Sequence, residues 1–158
     1  MSELRFANTA QGVKSLTFSW NYNDTLENTL GNQQDFGSAN TAAAVGTPDA
    51  DSHFTIGYLP RGAVIVGGAI VRTTAFDTAG YDIEIGDADD ADEYFATADL
   101  KAAGISALVP TGIPCLTANQ RTIRMSVAND DVCTAGAAYV RVDYIVPGRA
   151  DEVTQPGA

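Results

Sequence analysis

Histidine is nearly absent: His53 is the only one in 158 residues. A Ser-His-Asp or Cys-His catalytic site would have to be built on it. It stands at the start of a candidate strand, no G-x-S-x-G motif accompanies it, and neither cysteine has a catalytic context. One histidine and two cysteines supply at most three ligands, one fewer than a structural zinc site takes. Cys115 and Cys133 lie 18 positions apart, without a CxxC spacing. They read as buried or half-buried thiols of a reducing compartment. A disulfide stays open, because spacing alone does not show whether the backbones approach closely enough.

Basic residues are also scarce, 9 against 20 acidic ones, for a net charge of −11. A chain so charged is repelled by phosphate backbones and anionic bilayers, which argues against nucleic acid and membrane as partners. The nine cations stand singly and form no run. No apolar stretch reaches the roughly 18–20 residues of a membrane span. The opening MSELRFANTA has no basic start followed by an apolar run, so no secretion signal is expected. There is no Walker A loop and no G-x-G-x-x-G after a strand, and no cofactor is expected.

What the sequence does have is alternation. In Val13–Trp20, Leu16, Phe18 and Trp20 share a face; in Ser52–Tyr58, Phe54, Ile56 and Tyr58 do. The same period of two runs through Gly80–Gly86, Arg121–Ala128 and Ala137–Val146. Each run predicts a strand with one buried and one wetted side. Trp20 falls on a core face. Arg124 and Arg141 fall on outward faces, where each could pair with a carboxylate such as Asp143 or meet an acidic partner.

Ala63–Ala75 differs, because Val64, Ile65, Val66, Ala69, Ile70 and Val71 make both of its faces apolar. Such a strand is covered on two sides, by its own core and by a subunit or a loop of the same chain. Gly67-Gly68 at its middle predicts a bulge or a close backbone approach. Val64, Val66, Ile70 and Arg72 are therefore interface candidates. Ala98–Ala103 predicts a single helical turn stopped by Gly104.

Nine of the 20 acidic residues fall between Asp77 and Asp99, with no cation among them. Asp87, Asp89, Asp90 and Asp92 are a weak Ca²⁺ candidate, although the EF-hand pattern is absent. The alternative is a solvated acidic turn. Paired carboxylates also serve glycoside hydrolysis, but that needs an aromatic-walled cleft and this segment offers only Tyr94 and Phe95.

The expected fold is all-β, an antiparallel β-sandwich or jelly roll with a long irregular N-terminal segment, in one structural domain. Residues 1–51 would form an N-terminal strand and a long polar loop or arm, 52–147 the sandwich core and 148–158 a polar tail. The polar stretch Asn21–Asp51 is long enough to suggest a functional connection, and Leu26, Leu30 and Phe36 are its interface candidates.

Three runs carry a resemblance: IGYLPRGAVIV at 56–66, AIVRTTAFD at 69–77 and YDIEIGDADDADEYF at 81–95. With Ala96–Leu100 and the closing Tyr139–Val146, they resemble the small jelly-roll decoration, or cement, proteins of tailed-phage capsids. Glu93 stands where that family usually has glycine. The resemblance covers roughly residues 52–147 and implies a non-enzymatic homotrimer on the outside of a major-capsid-protein shell. It also implies assembly in the cytoplasm of a bacterial host. Alternative readings are a carbohydrate-binding jelly-roll module of a phage fibre or cell-surface protein, and another virion part such as a fibre base.

Overall fold

In a computed structural model that describes residues 12–39, 53–87, 90–110 and 122–146, the alternating runs become strands. Among the described residues these are β1 (Lys14–Asn21), β2 (Thr25–Glu27), β3 (Gln33–Asp35), β4 (His53–Tyr58) and β5 (Val64–Thr74). They continue as β6 (Asp82–Gly86), β7 (Phe95–Asp99), β8 (Gly104–Ala107), β9 (Thr122–Ala128) and β10 (Ala137–Ile145). One four-stranded sheet has the order β1-β10-β5-β8, the other β4-β9-β6-β7, and β2 and β3 pair as a separate hairpin. Every pairing is antiparallel, so the fold is an all-β sandwich.

Alternation decides what faces inward. Val140 and Val142 of β10 and Ile70 of β5 are buried from one sheet; Ile83, Ile85, Ile123, Met125 and Phe54 are buried from the other. Burying each such side chain is worth about 1.5–3 kcal/mol. One stretch of the core is aromatic. Phe36 packs on Phe54 with ring centroids 4.6 Å apart, Trp20 lies between Phe36 and Phe76, and Phe76 stacks on Tyr81 at 3.9 Å. The buried Tyr81 hydroxyl donates to the Phe36 carbonyl at 3.0 Å, which ties the segment after β3 to the start of β6. Burial pushes the Tyr81 phenol well above its ordinary value. The part of Asn21–Asp51 that is described thus carries a short hairpin whose last aromatic enters the core. Residues 40–52 lie outside the described residues.

Asn129 is the polar counterpart of this aromatic cluster. It is fully buried at the end of β9. Its Oδ1 accepts from Thr78 Oγ1 at 2.8 Å, and its Nδ2 donates to the carbonyls of Gly37 (3.3 Å) and Ser38 (3.0 Å). Nδ2 also lies 3.6 Å from the buried Cys133 sulfur, whose thiol donates to Thr78. One amide therefore holds three segments that share no strand. Burial pushes the Cys133 thiol up. Cys133 is a free thiol, and Cys115 lies outside the described residues.

Gly67 and Gly68 do both of the things that such a pair can do. The β5–β10 register slips between Asp143–Gly67 and Tyr144–Ile65, leaving Val66 as the extra residue of a bulge. A side chain on Gly68 would run into the Arg141 carbonyl of β10.

The helical turn expected at Ala98–Ala103 is not there. Ala98 and Asp99 close β7, and the chain bends at Lys101. Leu100 is the reason. It is fully buried, its N–H donates to the Tyr81 carbonyl at 3.0 Å, and its carbonyl accepts from Phe76 N–H at 3.1 Å. Its N–H extends the β6–β7 pairing and its carbonyl is claimed by the segment after β5, which leaves neither for a helix.

Candidate functional site

The acidic turn that follows β6 is held by its own carboxylates. Asp87 is buried; its Oδ1 accepts from the Asp90 N–H at 3.1 Å and its Oδ2 from the Tyr94 hydroxyl at 3.3 Å. Asp90 in turn accepts from the Asp92 N–H at 3.4 Å. A hydrogen bond with the Asp90 carboxyl, then partial burial, raises the Asp92 carboxyl above its ordinary value. Asp89 lies outside the described residues. Among the described residues, no group of three or more His, Cys, Asp or Glu side chains is arranged to hold a metal ion.

A second group was hidden from sequence reasoning, because only register assembles it. His53 of β4 pairs with Ser126 of β9, and Ser126 pairs with Glu84 of β6. Serine, histidine and glutamate therefore stand in one row across a sheet. All three are buried, the Glu84 carboxylate accepts from Thr97 Oγ1 at 3.0 Å, and Ser126 Oγ has no hydrogen-bond partner. A nucleophile must bond its base and reach solvent, so this row is not assembled for acyl transfer.

On the same outer face Asp82 pairs directly with Asp99. Burial, then the Asp99 charge, raises the Asp82 carboxyl, while Lys101 opposes the shift from its ion pair with Asp99. A carboxyl raised on folding stabilises below its unfolded pKa and loses that stability as pH rises through the folded pKa. Asp82→Asn is therefore expected to stabilise the protein at pH 7 by about 0.5 kcal/mol, after allowance for solvent screening. The gain should vanish in melts at pH 3.

The seven interface candidates divide. Ile70 and Phe36 are 1% and 3% exposed and belong to the protomer's own core, so they offer no surface. Leu26 is half-buried against that core. Leu30 and Val66 stand out at 59% and 46% exposure. Val64 is half-buried opposite Ile145. Arg72 lies in a cleft of about 350 Å³ between β7 and β8, lined also by Phe95, Thr97, Ser106 and Leu108. Its guanidinium donates to the Asp99 carbonyl at 2.7 Å, Ser106 Oγ at 2.9 Å and the Gly104 carbonyl at 3.4 Å. Those bonds clamp the crossing from β7 to β8 and account for a charge on an inward register position. Arg141 instead pairs with Asp143 at 3.0 Å on the outer face of its own strand.

That outer face holds what the sequence did not reveal. Tyr139, Val71 and Ile105 are register partners across β10, β5 and β8, forming an apolar row on the solvent side. Ile105 is 72% exposed. Beside the row run Arg141, Ala69 and Ala107, and then Asp143 and Gly67. β8 is too short to alternate visibly, so Ile105 carried no pattern.

No family model matches the chain, and no curated protein matches it. Among solved structures, a chain of the cyanophage Pam1 capsid asymmetric unit shares its fold, with a TM-score of 0.57 and 22% identity. The likeness covers 87% of this chain and 86% of that one.

Proposed function

We propose that the chain is a virion structural protein that decorates the outer surface of an icosahedral phage capsid and stabilises it as a homotrimer. The observation that carries this reading is the shared fold with a chain of a phage capsid asymmetric unit. The two coverages are nearly equal, so the likeness runs whole chain to whole chain rather than to one module of a larger protein. The strand orders β1-β10-β5-β8 and β4-β9-β6-β7 fit the double-sheet winding of a jelly roll, the fold that the sequence resemblance implied. Trp20 supports a structural rather than a sugar-binding role, because its ring is buried in the core and offers no platform.

Decoration has a physical logic in this fold. A closed trimer presents three copies of each contact to the lattice, and their effective concentration multiplies a weak single contact. The exposed Leu30 beside the β2–β3 turn is a candidate for that contact. Expanded empty cyanophage shells mixed with the purified chain test the reading. Saturable co-sedimentation, with a rise in the temperature at which the shells come apart, is the expected result. A chain that leaves shells unchanged but is retarded on a glycan column would overturn it in favour of a carbohydrate-binding module.

A further inference from the structure

The apolar row on the outer face of the β1-β10-β5-β8 sheet has no cover within the described protomer. We infer that a second copy of this chain covers it: the Tyr139–Val71–Ile105 row of one copy seats on the Gly67–Ala69–Ala107 strip of the next, closing the trimer. The inference rests on the trimeric reading above and assigns it a surface.

Charge selects the occupant. Each copy carries −11, so two copies repel wherever carboxylates face each other. Most of the described carboxylates lie on the other sheet or in turns, among them the Asp82–Asp99 pair and Asp90, Asp92 and Glu93. Among the described residues the only one on this outer face is Asp143, and it is neutralised by Arg141 at 3.0 Å and accepts a bond from the Ser15 hydroxyl. Screening over about 8 Å at physiological salt makes the local balance decisive. A like-charged copy therefore meets least resistance here, whereas a basic partner would be drawn to the acidic faces.

Shape selects the same occupant. Val71 and Tyr139 are half-buried and Ile105 stands clear of the sheet, so the row is a ridge. Gly67, Ala69 and Ala107 lie alongside it on β5 and β8 with little or no side chain, and the Arg141–Asp143 pair borders them on β10, so that strip is a trough with one charged wall. Ridge and trough share one face, which suits a heterologous contact repeated head to tail, and such a contact closes into a ring when each step turns by a third of a circle. The row also runs out to β8, the terminal strand of its sheet among the described residues, where copies around an axis can approach.

Two variants attack the two halves of the contact. Ile105→Asp puts a carboxylate on the ridge, and Ala107→Trp fills the trough. Both sites are exposed on a terminal strand, so circular dichroism should show the fold kept. Tyr58→Asp, at an equally exposed apolar residue of the other sheet, is the control. Light scattering at one concentration should show the wild type and control as trimers. Both interface variants should fall threefold, to the 16.5 kDa of one chain. If the wild type is a trimer and both variants stay so, another surface holds the trimer and the inference fails alone. If the variants stay trimeric but lose shell binding, the face is the coat contact instead. A monomeric wild type overturns the trimer and this inference together, and its co-sedimentation with shells then decides whether decoration survives.

Discussion

Asn129→Asp should lower the stability of the folded chain by about 4 kcal/mol, a large part of the roughly 5–15 kcal/mol that holds a domain of this kind together. The substitution keeps the shape and exchanges a donor for an acceptor. In the native protein Nδ2 points at the Gly37 and Ser38 carbonyls, at 3.3 and 3.0 Å. A carboxylate there faces two oxygens with nothing to donate, inside a site with no exposure. The Gly37 carbonyl keeps its bond from the Cys133 N–H at 2.8 Å, but the Ser38 carbonyl is left unpaired at a cost of about 1–3 kcal/mol, and the unpaired charge adds its own desolvation penalty. The midpoint of thermal unfolding should drop by roughly 8–16 °C.

The comparison with Asn129→Ala isolates the charge. Alanine removes the same bonds but leaves no ion behind, so its loss should be smaller, about 2–3 kcal/mol. The two variants should also differ in pH response. As pH falls the new carboxyl protonates and regains one donor, so the gap between the variants should narrow in acid. If Asn129→Asp melts like the wild type at pH 7, the amide is not the tie between the β3 exit, Thr78 and the Cys133 loop.

The elements legible in the sequence were those that bury one face. β1, β4, β6, β9 and β10 alternate over five residues or more, and β5 announced itself by its apolar length. The strands that escaped notice are short and marginal. β7 reads FATAD and β8 reads GISA, each with a single large apolar residue, and β2 and β3 have three residues apiece. At the end of β7 the local composition pointed to a helical turn, and the backbone bonds of Leu100 to Tyr81 and Phe76 overrode it. Propensity is a weak guide where tertiary bonds claim the backbone.

The candidate sites were less legible still, for a reason of dimension. A sequence shows which residues share a face of one strand, but not which strands stand side by side or in what register. The His53–Ser126–Glu84 row and the Tyr139–Val71–Ile105 row both arise from pairing between strands distant in sequence. Ile70 and Phe36 show the converse. Ile70 looked available for an interface because its strand is apolar on both faces, and Phe36 because it stands in a long polar connection; each is consumed by the core. Arg72 was singled out as an interface residue, and its bonds turn it toward the β7–β8 crossing.

Gly68→Val brings these threads together, because the glycine pair was legible while the partner it approaches was not. A β-carbon at Gly68 collides with the Arg141 carbonyl and lies 3.3 Å from the Val142 Cα. The obstacle is backbone, which cannot swing aside as a side chain would. To admit valine, β5 must separate from β10 at its centre. That separation gives up about two ladder hydrogen bonds, worth roughly 1 kcal/mol each, and loosens the packing of Ile70 on Val140 and Val142. The expected loss is about 4 kcal/mol, read as a lower denaturant midpoint. Gly67→Ala, one residue earlier, meets nothing within 4 Å but inherits a φ of +158° that L residues rarely adopt, so it should cost only that strain, about 1–2 kcal/mol. Equal losses at the two positions would show that flexibility, rather than the approach to Arg141, is what the pair supplies. Because β5 and β10 carry Val71 and Tyr139, a chain with Gly68→Val should also lose the ridge and trough of the outer face, so it should be monomeric even at temperatures where it remains folded.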